Sequence, residues 1–199
     1  MTSRQIAALA TKKKLLDAGS KIIAEKGLSQ ATVDEITALA GVSKGTFYTY
    51  FKKKEDIVFA LGYGAFSEVL DKAMSLQDTF IEKIIYYMVH FSACIEDSGY
   101  KLSQEWIRSL SDISSSEETG PRGKLKFDLD SISRLIQAGV EEGNLAKDTP
   151  AEVLTHTLAD ILYGQMFCWS VSDGSYSLRA RTEEFCETCL PEIFKAYAL

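Results

Sequence analysis

Between Ala31 and Lys54 the stretch ATVDEITALAGVSKGTFYTYFKKK concentrates side chains able to hydrogen-bond to a polyanion. Lys44 carries an ammonium that can donate to guanine O6 and N7. Gly45 beside it lets a backbone approach a groove floor closely, and Thr49, one turn on, offers a methyl and a hydroxyl to a thymine methyl or a phosphate. Thr46, Tyr48 and Tyr50 carry hydroxyls suited to phosphate oxygens, as does Thr32 upstream. Ser43, where this run opens, belongs to the same candidate set, and Lys52, Lys53 and Lys54 close it with a basic exit. Tyr48 and Tyr50 are also compatible with a core position; two hydroxyls at one edge favour contact.

These side chains need short elements to hold them. Thr32 followed by Glu35 has the spacing of a capping box, so a helix starts there. Val33, Ile36 and Leu39 give it one apolar face, and Gly41 is its C-terminal stop. Ser43 is a second N-cap candidate, opening a helix whose Phe47 and Phe51 fall on one face and read as core. Two short helices joined across a glycine-marked turn form the helix-turn-helix pattern, whose second helix enters the DNA major groove.

The segment GVSKGTFYTYFKKKED closely resembles the recognition-helix signature of the TetR family of bacterial transcriptional regulators. LLDAGSKIIAEKG upstream is similar to that family's first helix, so the resemblance covers roughly the first 60 residues. It implies an all-α chain: a three-helix DNA-binding domain over residues 1–54 and a helical ligand-binding and dimerisation domain over 55–199. It also places Lys54 at a position that commonly holds the DNA backbone.

Charge is divided in the way a nucleic-acid binder requires. The chain carries a net charge of -6, but residues 1–56 hold ten Lys/Arg against six Asp/Glu, and the remainder twelve against twenty-two. A basic end on an acidic body confines phosphate contact to that end. No apolar run reaches the roughly 18 residues of a membrane span, and the start MTSRQIAALATKKK lacks a signal-peptide core. The expected setting is the cytoplasm, where Cys94, Cys168, Cys186 and Cys189 would be free thiols.

Residues 1–10 read as a partly ordered arm in which Arg4, and after it Lys12–Lys14, either touch phosphates or are solvated. The first helix is expected from about Lys12 to Lys26, ending at Gly27, with Leu15, Leu16, Ile22 and Ile23 on its apolar stripe. Ala18 and Gly19 leave room for close packing. Glu55–Asp56 begin a helix to about Ser75, whose Gly62 and Gly64 mark either close packing or a bend. Further helices follow over Thr79–Glu96, Tyr100–Ile113, Leu125–Glu142, from Pro150 to about Val171, and Leu178–Tyr197. Ser114–Lys124 reads as a polar loop.

EEGNLAKDTPAEVLTHTLADILYGQMFCW resembles the C-terminal part of many TetR-family chains. By that resemblance the last two helices pair with those of a second subunit, making a homodimer; Leu158, Ala159, Ile161, Leu162, Gly164 and Phe185 suit such packing. The resemblance also implies a small-molecule effector held among these helices. Tyr86, Tyr87, His90, Cys94, Trp106, Tyr163, Met166, Phe167 and Trp169 are candidate lining, each also an ordinary core residue. Aromatic abundance points to a lipophilic ligand, whose identity the sequence leaves open.

Other chemistries lack the inventory. His90 and His156 have no further metal ligands at a local spacing, and His156 with Asp160 reads as a surface pair. Cys186-Glu-Thr-Cys189 has C-x-x-C spacing without a redox fold around it. There is no phosphate loop and no nucleophile motif, so neither an enzyme nor a cofactor is expected. The leading expectation is a homodimeric repressor, released from a palindromic double-stranded operator by a small lipophilic ligand and without a membrane partner. A regulator whose C-terminal domain docks another protein is the alternative, and the sequence carries nothing on activation against repression.

Overall fold

In a computed structural model, residues 2–109 and 121–199 are described, and they form ten helices and no named strand. The elements are α1 (Ser3–Lys26), α2 (Val33–Ala40), α3 (Lys44–Tyr50), α4 (Asp56–Ser75), α5 (Phe80–Ser98), α6 (Tyr100–Ser109), α7 (Pro121–Glu141), α8 (Ala151–Val171), α9 (Leu178–Thr188) and α10 (Leu190–Phe194). The all-α expectation holds.

Local side-chain capping sets several of the starts. Thr32 and Glu35 form a complete capping box at α2, and Thr79 with Glu82 repeats it at α5. Each box satisfies two N–H groups that a helix start otherwise leaves orphaned. Gly41 ends α2 in the left-handed conformation, at φ 68°, where a Cβ would be strained. Ser43 then accepts from the Thr46 N–H at 3.1 Å and opens α3.

Several boundaries differ from the sequence expectation. A third capping box, Thr2 with Gln5, carries α1 out to Ser3, so residues 3–10 are helical; Ile6 and Leu9 there face solvent. The α7 helix begins at Pro121, so Lys124 is helical. Leu110–Ile113 of the expected sixth helix and Ser114–Gly120 of the expected loop lie outside the described residues. The last helix is broken into α9 and α10 at Cys189, because Pro191 lacks an N–H and its ring excludes the preceding turn's carbonyl. On α2, Leu39 is exposed; Ile36 and Thr37 are the buried positions.

Two apolar cores result. The first joins α1, α2 and α3 through Leu15, Ile23, Ile36, Phe47 and Phe51, and extends to Ile57 and Val58 of α4 and Leu102 of α6. Gly19 permits this approach, since a Cβ there would stand 2.8 Å from Ile57 Cγ2. The second core is built on α4, α5 and α7–α10, with Phe66, Phe80, Tyr87, Phe91, Ile136, Leu158 and Trp169 buried. Trp106 packs against both cores. Thus α4 and α6 are the elements that belong to both ends of the molecule.

Candidate nucleic-acid interface and buried cavity

Phe47 and Phe51 pull one face of α3 into the first core, at 0% and 4% exposure, as their spacing anticipated. The opposite face is therefore turned outward, leaving Lys44, Gly45, Tyr48 and Thr49 exposed along with the flanking Ser43 and Thr32. Tyr48 stands with its ring edge-on to Phe47, 5.3 Å between centroids. Thr46 and Tyr50 are half-buried, Tyr50 against the core. A Cβ at Gly45 would meet only Ser43 Oγ, at 3.8 Å, so nothing within the chain demands glycine there.

Two of the lysines already have partners. Lys44 pairs with Asp34 of α2 at 2.9 Å, and that hydrogen bond with its charge holds the ammonium above its usual pKa. Lys54 directs its ammonium at three backbone carbonyls of the α1–α2 connection, Leu28 at 2.7 Å, Ala31 at 2.9 Å and Ser29 at 3.2 Å. Lys54 lies 23 to 26 residues along the chain from the carbonyls it caps, and no local motif in the sequence signals the contact. Glu35 is held at about 2, chiefly by the Lys26 ammonium 2.5 Å away, then by Thr32, which ties the end of α1 to the start of α2.

Behind this face lies a cavity of about 70 Å³ walled by α4, α5, α6, α7 and α8. Val58, Leu61, Gly62, Ala65 and Phe66 come from α4, Phe91, Cys94 and Ile95 from α5, and Leu102, Ser103 and Trp106 from α6. Lys124 and Asp128 of α7 and Met166 of α8 complete it. Of the residues put forward from sequence, Cys94, Trp106 and Met166 meet here. Tyr163 stands next to them, its ring 5.3 Å from Trp106 and its hydroxyl donating to Asp128 Oδ2 at 2.6 Å. Tyr87 is fully buried, and its hydroxyl has no partner among the described residues. Burial and the nearby Asp128 carboxylate push both tyrosines' pKa values up.

The other candidates lie elsewhere. His90 and Tyr86 stack on each other, with His90 Nδ1 2.8 Å from the Tyr86 carbonyl, away from the cavity. Phe167 faces outward on α8 at 52% exposure. Trp169 is core, its indole N–H donating to the Tyr176 carbonyl at 2.8 Å. For the second subunit, Leu158, Ala159 and Leu162 point into this chain's own core, whereas Gly164, Phe167, His156, Asp160 and Val171 mark the exposed face of α8. The C-x-x-C pair is split between a buried Cys186, whose thiol burial pushes up to about 12, and an exposed Cys189. A thiol held that high is a poor nucleophile. Among the described residues no helix is long and apolar enough to cross a membrane, and no cluster of metal-ligating side chains occurs.

What sequence reasoning missed is the polar floor of the cavity. Lys124 and Asp128 form an ion pair one helical turn apart at 1% exposure each. The ammonium lies 4.0 Å from the Phe66 ring centroid, 5.3 Å from that of Phe91 and 5.8 Å from that of Phe127. Burial drives Lys124 down to about 8 against the opposing pull of Asp128, and burial drives Asp128 up. Gly62 is explained here: a Cβ would sit 3.1 Å from Lys124 Cε, so α4 leaves room for the lysine stem. Gly64 meets nothing and has no such account.

Residues 15–61, which carry the second half of α1, all of α2 and α3 and the start of α4, match the family described as bacterial regulatory proteins, tetR family. That stretch is a TetR-family helix-turn-helix domain. The fatty acid metabolism regulator protein of Bacillus subtilis is 25% identical over 178 residues, covering 87% of this chain and 91% of that protein. The crystal structure of FadR from Bacillus subtilis, solved with stearoyl-CoA, superposes with a TM-score of 0.68 at 23% identity, over 88% of this chain and 96% of that one. Thermus thermophilus FadR, a repressor solved with lauroyl-CoA, gives 0.68 at 19% identity, over 89% and 92%. At these identities the structural likenesses establish the fold. With that helix-turn-helix domain, the molecule is a DNA-binding transcriptional regulator.

Proposed function

We propose that this chain is a homodimeric TetR-family repressor that leaves a pseudo-palindromic operator when a lipophilic acyl compound enters the cavity. Residues 1–54 form the DNA-binding unit and 55–199 the ligand-binding and dimerisation unit, working in the cytoplasm. Lys44 reads base edges by exchanging Asp34 for guanine, while Thr32, Ser43, Thr46, Tyr48, Thr49 and Tyr50 hold phosphates and Gly45 permits close approach. The acyl class is suggested by the complexes solved for the FadR proteins of similar fold.

One observation carries the coupling. Val58 and Leu102 line the cavity and also belong to the core beneath the helix-turn-helix, with Leu61 and Trp106 packed against that same core. At about 70 Å³ the cavity is well below the roughly 300–1,000 Å³ of small-molecule sites, so a ligand chain enters only by parting the walls. The walls that part are α4 and α6, which hold the first core from below. A shift there changes the separation of the two recognition helices in a dimer, and hence the match to half-site spacing. The effect on DNA affinity can be no larger than the ligand's preference between the two states.

The test is selection of a bound sequence from random duplex, followed by operator titration with and without decanoyl-CoA. A shared palindrome whose affinity falls on adding the thioester supports the reading. Binding without a shared sequence, or an affinity indifferent to every acyl chain length, overturns it.

A further inference from the structure

We propose that Lys124, Asp128 and Tyr163 form a subsite for an uncharged carbonyl oxygen, admitting acyl esters and thioesters to the cavity and turning away free carboxylates. This rests on the acyl-effector reading above.

The Asp128 carboxylate accepts from Lys124 on both oxygens and from the Tyr163 hydroxyl on Oδ2, so its acceptor capacity is largely taken. The ammonium has three N–H bonds, and at most two go to Asp128. No other acceptor reaches it among the described residues; its remaining neighbours are aromatic faces. The subsite therefore has a donor to spare, and the group that completes it is an acceptor. The hydroxyls of Ser98 and Ser103, also at the cavity, are engaged with the Cys94 carbonyl and with Ser170. That leaves Lys124 as the polar anchor in an otherwise apolar lining.

Charge decides which acceptor. The pair is neutral as a whole and almost completely buried. An ester or thioester oxygen adds no charge. A carboxylate would put a second anion beside Asp128, leaving the site with a net buried charge, which is costly in a low dielectric. A buried ion pair is also a poor stability device, since apolar residues of the same volume often serve as well. Its place in the cavity wall gives it a use that packing alone does not.

Trp106, in the wall and against Tyr163, reports occupancy by its fluorescence. The 199-residue chain is titrated with methyl decanoate, with decanoic acid above its pKa, and with decyl methyl ether, which keeps the chain length but lacks the carbonyl. The ester should bind about tenfold or more tighter than either the ether or the acid, the size expected for a hydrogen bond to a buried charged donor. In Asp128→Asn the carboxylate of the acid takes the place of Asp128 as the lysine's counter-charge, so the order of ester and acid should reverse. Lys124→Met with Asp128→Leu, an apolar pair, should bind ester and ether alike. Equal binding of ester, ether and acid by the unmodified protein overturns the subsite while leaving an acyl effector in place. Failure of all three and of decanoyl-CoA to bind overturns both.

Discussion

Replacing Lys54 by Met separates two uses of one lysine. Its sequence position implies a phosphate contact, whereas its ammonium caps the carbonyls of Leu28, Ser29 and Ala31. Leu28 and Ala31 are buried, at 5% and 1% exposure, so water cannot fully replace the lysine at their carbonyls, while the Ser29 carbonyl is exposed and rehydrates. Each of the two sheltered bonds to a charged donor is worth about 1–2 kcal/mol, giving a loss of about 2–4 kcal/mol. For a chain of this size that lowers the melting temperature by roughly 4–16 °C. Thermal melts of the variant, paired with duplex binding across a salt series, read both quantities. The account predicts a clear loss of stability with an unchanged slope of log Kd against log salt. An unchanged melt with a slope smaller by about two phosphate contacts, one from each protomer, roughly 1.8, would refute it and return Lys54 to the DNA backbone.

Other substitutions test other parts. Gly139→Ala would place a Cβ 2.5 Å from Phe80 Cδ2 in the second core, and overpacking of this kind costs about 1–3 kcal/mol, readable in urea melts. Glu35 is held at about 2 from an ordinary 4.5, so its stabilising contribution is complete above pH 4.5 and disappears as pH falls to about 2; in Glu35→Gln the acid melt of the α1–α2 region loses that dependence. Lys124 is the opposite case. Its folded pKa of about 8 lies below its usual 10.5, so the unfolded chain binds more protons between those values and stability rises with pH across that window, a rise that Lys124→Met removes. Lys44→Ala should weaken binding to the selected duplex more than to random duplex, because base readout is lost while the phosphate contacts stay.

The helix-turn-helix was legible because its signals are local: Thr32 with Glu35, Gly41 in the left-handed region, and Phe47 with Phe51 on one face are all set within a few residues. The cavity was not, because it is assembled from five helices and depends on which way each side chain points. Choosing aromatic and polar residue types found Cys94, Trp106 and Met166, but it equally selected Phe167, which faces outward, and Trp169, which is core. Lys124 and Asp128 look in sequence like a solvated pair one turn apart beside a polar loop, so nothing marked them as buried. The reason for Gly62 lies on another helix, in the stem of Lys124. Pro191, by contrast, was a readable break, and the single last helix expected there ignored a local rule that the fold obeys.

The central claim is that the cavity and the recognition helices share one equilibrium. The most direct measurement is the Kd of the selected duplex with and without saturating decanoyl-CoA, alongside the Kd of decanoyl-CoA with and without saturating duplex. The account predicts that both weaken, and by the same factor, as linkage requires. Trp106 quenching by the thioester with duplex affinity unchanged would contradict it, leaving a cavity that binds without regulating.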